Sequence, residues 1–287
     1  MIDLKQHSLY KAMEVDTVLS SVFNIYFKKF LTLFIYSFIA VFIIQIIFYQ
    51  LGFWELYKIS LSDPNEILQV YSKLMGKIGI VTVVSVIVYG FLNAFLVNYL
   101  IKSDIDPKIP VGDIFVESIK KYSIHMIFFL ILSSLILIVG VFFGIIALII
   151  GAFFAMIYLG TVLIPGGAIL VAEEKNAIDT IGRTFILTHK DFWSVLGSLV
   201  LFLLIMILIS IILAAIMAIP FVIMFFENWQ ESGSFQDLFN TQMYDIGIWS
   251  VVLNSLVSAV TYPLYAIISV VLYFKLKFVE DQKAIQP

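Results

Sequence analysis

Three histidines, His7, His125 and His189, are the residues of this chain best suited to proton transfer or metal binding near neutral pH. They lie far apart in sequence. None belongs to an HExxH, and none has a carboxylate beside it at ligand spacing. The chain has no cysteine, so thiolate metal sites, disulfides and thiol nucleophiles are all removed. No GxSxG, Walker A or GxGxxG occurs. This inventory predicts no catalytic set, no metal site and no cofactor. The other charged residues that could recognise something are basic and clustered: Lys28 with Lys29, Lys120 with Lys121, then Arg183, His189 and Lys190. Each group stands just before a long apolar run, where cations meet lipid phosphates or a protein partner. These seven are the candidate contacts, and Trp193 is placed as an interfacial aromatic anchor.

The elements that must carry them follow from composition. Of 287 residues, 62% are hydrophobic and only 13% charged, against roughly 25% charged in ordinary soluble domains. Lipid is the solvent such a surface suits. A formal net charge of −3 and the absence of a basic domain exclude nucleic acid as a partner. The first apolar run, Phe30 to Leu51, follows a polar stretch of about thirty residues and is long enough to span, which reads as a retained helix and not a cleaved signal.

Further spans are predicted over Ile78 to Ile101, twice within the run Ile124 to Ala172, from Phe192 to about Ala218, and from Ile246 to Phe274 with Pro263 inside. The long run has no acid, lysine or arginine and must reverse, so a tight turn is expected at Gly140 to Gly144 (GVFFG). The same residues also fit the GxxxG pattern of close helix packing. Pro165, Gly166 and Gly167 are a further expected helix break, and Pro220 is expected to kink or end the fifth span. The polar intramembrane residues, among them Asn93, Asn98, Asn254 and Ser255, suit hydrogen bonds between helices.

Six spans put both termini on one side. Of the 17 Lys and Arg, only Lys58, Lys73 and Lys77 then fall on the other, so the termini are expected in the cytoplasm. The acidic segment 227–245 is an outer loop on this topology.

Three short amphipathic helices are expected at the entries to spans one, three and five: residues 14–29, 113–122 and 176–190. In the second, Glu117 and Lys121 stand at i,i+4, as do Asp179 and Arg183 in the third. The apolar sides of such helices suit the headgroup boundary. An interfacial helix followed by two spans makes a pattern unit, repeated over roughly 13–101, 111–172 and 176–275 within a single membrane domain, 1–287.

The stretch IPGGAILVAEEKNAIDTIGRTFILTHKDFWSVLG resembles the membrane-domain family named after glycerophosphoryl diester phosphodiesterases. In that family a span ends near a proline, an acidic residue and an x-Ala-x-x-x-Ser helix follow, and a basic, aromatic entry leads into the next span. Here Pro165, Glu173 or Glu174, Ala177, Arg183, Lys190, Phe192 and Trp193 take those places, with Thr180 or Thr184 where serine is usual. The resemblance implies an all-α, six-helix bundle with interfacial helices. It implies no phosphodiesterase activity, because the hydrolase of the fused members is a separate soluble domain.

The function expected is a non-catalytic integral component that scaffolds, assists or regulates a membrane complex, or organises lipid around it. Its partners are membrane lipids and a membrane protein. The alternative is a permease or a transporter of lipids or amphiphiles. Short loops point to a bacterial inner membrane.

Overall fold

The computed structural model describes residues 4–53, 64–146, 149–228 and 247–285. All regular structure among them is helical. A 3₁₀ turn, Leu4–Gln6, precedes α1 (Val15–Gln50), α2 (Pro64–Ile105) and α3 (Val111–Glu117). A π-helical turn, Ser118–Tyr122, joins α3 to α4 (Ser123–Ile146). Then come α5 (Ile149–Leu163), α6 (Gly166–Ala172), α7 (Ala177–Thr188), α8 (Phe192–Asn228) and α9 (Gly247–Ile285). Six stretches are long and apolar enough to cross a membrane: Val15–Gln50, Leu74–Ile105, Val111–Ile146, Ile149–Ala172, Phe192–Ile219 and Val251–Ala284. This is the layout of an integral membrane protein.

Several boundaries differ from the expectation. Residues 14–29 form no separate helix, because α1 runs unbroken for 36 residues. Residues 113–122 likewise continue into α4 through the π turn. Nothing in either junction breaks a helix: neither holds a proline or a glycine, and Lys28 and Lys29 are good helix formers. Only the third, α7, stands alone.

Its start is well defined. Asn176 is its N-cap: Oδ1 accepts from the Asp179 backbone N–H at 2.9 Å, and Nδ2 donates to the Asp179 carboxylate at 2.7 Å. Just before it, α6 ends in a Schellman turn, the Lys175 N–H reaching the Leu170 carbonyl at 3.1 Å. Glu174 takes the left-handed position there, at φ 52°.

Gly140 and Gly144 do not form the reversal. Both lie inside α4, which continues to Ile146. They are where α4 and α5 approach. A Cβ on Gly144 would stand 2.5 Å from Ala152 Cα, and one on Gly140 would stand 2.3 Å from Leu159 Cδ1. The close-packing reading of GxxxG is the one realised. Pro220 does not end α8, which continues to Asn228; proline is tolerated in apolar helices whose freed carbonyls find other donors. At Pro165 the chain does break, between α5 and α6. Gly166 is needed there, since a Cβ would collide with the Phe129 ring. The acidic segment 227–245 lies almost wholly outside the described residues.

The chain divides into two compact units: Met1–Leu33, Val86–Leu204 and Tyr262–Pro287 form one, Phe34–Ser85 and Ile205–Thr261 the other. The first unit has a core of Val22, Phe95, Leu96, Ile114, Met126, Ile169, Phe202 and Phe274, all at most 1% exposed. In the second, Phe34, Phe38 and Phe42 stack at i,i+4 spacing with centroids 6.0 and 5.5 Å apart. There Lys77 Nζ donates to the Leu51 carbonyl at 2.6 Å, capping the end of α1.

The two glycines of α4 differ in what a side chain would meet. Gly144→Leu is expected to cost roughly 2–3 kcal/mol, since backbone must move, whereas Gly140→Ala displaces only the tip of Leu159 and costs under about 1 kcal/mol. Thermal unfolding of both variants in detergent tests the ranking.

Candidate functional site

The charged side chains gather in the first unit, where α6, α7, α8, α9 and the N-terminal segment meet. Arg183 is the hub. Its Nε donates to Glu173 at 2.9 and 3.1 Å, and Nη2 reaches Glu173 Oε1 at 3.0 Å. Nη1 and Nη2 then grip Glu280 at 2.8 and 2.5 Å. One planar guanidinium thus binds two carboxylates, each through more than one bond, which lysine cannot reproduce. The expected Asp179–Arg183 pair does not form, because Asp179 is engaged with the Asn176 cap. The Arg183 and Glu280 side chains are only 17% and 15% exposed, so the contacts are worth more than surface pairs. The Glu280 and Glu173 carboxylates hold the Arg183 guanidinium protonated well beyond its ordinary range.

Glu280 is shared. Lys190 and Lys277 donate to it at 2.7 and 2.9 Å. Lys277 also meets Asp281 at 3.1 Å, and Asp281 accepts from the Tyr10 hydroxyl at 2.7 Å. Desolvation and this carboxylate together push the Tyr10 phenol up to about 12. Glu280, Asp281 and Tyr10 were not among the sequence candidates. The one signal was the spacing Lys277, Glu280, Asp281, which places both acids within a turn of the lysine.

A second cluster pins the N-terminal segment. His7 is 4% exposed and stacks on Phe274 with ring centroids 4.0 Å apart. Its Nδ1 accepts from the Leu9 N–H at 3.2 Å and Nε2 lies 3.4 Å from the Leu100 carbonyl. That pattern suits a neutral ring with the proton on Nε2. Asp104, 3.4 Å from Nδ1, also accepts from the Ser8 N–H at 2.8 Å. A carboxylate near a histidine does exist here, but 97 residues along the chain, where no sequence motif reaches. Burial lowers the His7 pKa, and the nearby Asp104 opposes the shift without reversing it.

Of the candidate contacts, most are already engaged. Lys29 donates to Ser103 Oγ at 2.5 Å and lies over the Tyr99 ring. Lys121 pairs with Glu174 at 2.5 Å, not with Glu117, which instead pairs with Lys102. His189 accepts from the Tyr158 hydroxyl at 3.0 Å, with Nδ1 on the Phe185 carbonyl at 2.6 Å. Lys28 and Lys120 are exposed and make no ion pair among the described residues. Trp193 is 79% exposed.

In this unit Asn93 and Asn98 bond between elements. Asn93 donates to the Tyr262 hydroxyl at 2.5 Å and to the Tyr89 carbonyl at 3.1 Å. Asn98 donates to Ser118 Oγ at 3.0 Å. Among the described residues no three His, Asp or Glu side chains stand as a metal site would need. No known protein family, curated protein or solved structure matches this chain.

Arg183→Lys should destabilise the protein by roughly 2–3 kcal/mol, because one ammonium cannot serve both carboxylates and a half-buried acid is left short of a partner. Chemical denaturation in micelles measures this, and a loss under ~0.5 kcal/mol would contradict it. The His7 pKa is lower folded than unfolded, so its contribution is fully present above about pH 6.5 and is lost as pH falls below that. His7→Phe, which keeps the stack on Phe274, should flatten the pH dependence of stability between about pH 7 and 5.

Proposed function

We propose that this chain is a non-catalytic component of a cell membrane that scaffolds, assists or regulates a membrane complex and organises lipid around itself. The observation that carries the reading is how the charged side chains are used. Glu173, Arg183, Lys190, Lys277, Glu280, Asp281 and Tyr10 close on one another. They lock helix ends together and do not converge on a point where a reacting group would sit, as nucleophile and acid–base groups must.

The outward side of α7 supports the lipid part. Ile178 and Ile186, two turns apart, are 75% and 60% exposed, and Trp193 follows at 79%. The inward side is Ala177, Thr180, Thr184, Leu187 and Thr188, all buried. A helix bound inward by threonines, with isoleucines outward and a tryptophan at its end, suits the headgroup boundary of a bilayer. Of the candidate contacts, Lys28 and Lys120 are exposed with no ion pair among the described residues, which suits anionic lipid. The lysine distribution in the sequence favours cytoplasmic termini, and the short loops favour a bacterial inner membrane.

A lipid- or amphiphile-handling transporter is the second reading. It draws on the break at Pro165 between α5 and α6, within one candidate span, since interrupted helices often form substrate sites.

Pull-down of tagged protein in a mild detergent, with mass spectrometry of the proteins and lipids that accompany it, separates the two. A stoichiometric protein partner that survives washing is the expected result. A partner-free protein that moves labelled lipid between the leaflets of proteoliposomes would replace the first reading with the second.

A further inference from the structure

The start of α1, the start of α8 and the last turns of α9 enclose a cleft of about 500 Å³. We propose that it binds a zwitterionic phosphate headgroup, with the phosphate on Lys275 and the amine on the wall formed by Glu14 and Asp191. The inference rests on the reading of the chain as a lipid-organising membrane component.

Lys275 is the reason. Its side chain is 2% exposed, yet among the described residues its ammonium donates to Ser194 Oγ alone and stands 3.5 Å from the Asp191 carboxylate. An ammonium carries three donors. A buried charge is tolerated when it is both paired and fully hydrogen-bonded, and here one hydroxyl and one carboxylate at 3.5 Å leave a third donor without a partner among the described residues. Lys275 lines the cleft, so an acceptor placed there completes it. An anionic oxygen is the acceptor an ammonium binds most strongly.

The remaining lining decides the rest of the ligand. Lys283 adds a second cation, its Nζ also donating to the Lys190 carbonyl at 2.9 Å. Glu14 and Asp191 supply two carboxylates. A simple anion would leave the acids facing it, and a simple cation would leave the lysines facing it. A zwitterion satisfies both signs. Phe278 and Val279 provide apolar wall for the carbons that join phosphate to amine or to a glycerol. A primary amine suits the two carboxylates better than a quaternary one, because it can donate hydrogen bonds to them.

The test is native mass spectrometry of the full chain, offered equal amounts of phosphatidylethanolamine, phosphatidylcholine and phosphatidylglycerol. Phosphatidylethanolamine should be retained roughly tenfold over either rival, the worth of one charge-assisted hydrogen bond. Lys275→Met should abolish retention. Should that variant fail to fold, Glu14→Gln, at an exposed position, carries the test: it should erase most of the preference without moving the melting temperature. Displacement of the lipid by free phosphoethanolamine would make the natural ligand a soluble zwitterion. Resistance to displacement would make it the lipid. Equal retention of all three lipids, or an unchanged preference in Glu14→Gln, overturns the proposal. A chain that shows no preference yet holds a protein partner keeps the component reading and loses only this site.

Discussion

The Arg183 fork is the constraint on which the charged end of the first unit depends. It joins Glu173, at the end of α6, to Glu280 on α9, which is 97 residues along the chain from Arg183 itself. Guanidinium is suited to this by its flat geometry and by a charge that does not titrate in proteins. Once Arg183 is held, α7 has a fixed rotation, because its threonine face must turn inward and its isoleucines outward. Glu280 in turn gathers Lys190 and Lys277, so the entry of α8 and the last turns of α9 share one carboxylate. A network of this kind costs less side-chain entropy per contact than separate surface pairs, which is why it can be worth more than they are.

Around that network the packing depends on small local departures from regular helix. The π turn at Ser118–Tyr122 is one. It lets Asn98 of α2 reach Ser118 Oγ, while Ser118 O accepts from Ser123 Oγ at 3.0 Å. The left-handed Glu174 is another, turning the chain from α6 into α7. Gly144 is a third, giving α4 and α5 their close approach. Where apolar side chains gain little by leaving lipid for each other, such close contacts and interhelical hydrogen bonds are what hold helices in register.

These features bear on function in one direction. A cation neutralised by a neighbouring carboxylate makes a poor receptor for a headgroup. Arg183, Lys190 and Lys121, each within 2.7 Å of a carboxylate, are therefore part of the frame, whereas Lys275 meets its carboxylate only at 3.5 Å and lines a cleft. The N-terminal segment adds to the frame, with His7 on Phe274 and Tyr10 on Asp281.

By itself the sequence determined the solvent and the fold class. Long runs free of charge can satisfy their backbone in lipid only as helices, so six helices long enough to span were legible from composition and run length. The helix starting at Asn176 was legible too, because a cap is a local interaction. Helix ends without a local breaker were not legible: Lys28 and Lys29 can sit within a helix as well as at its end, and α1 passes through them. GVFFG was ambiguous for a related reason, since glycine permits both a turn and a close contact, and only the neighbour at Ala152 selects between them. Partners of charge were the least legible of all. An i,i+4 spacing offers Arg183 to Asp179 and Lys121 to Glu117. The tertiary structure instead brings up Glu280 from α9 and Glu174 from the turn after α6, and gives Glu117 to Lys102. Electrostatic partners are chosen by distance in space, and only the folded chain sets that distance.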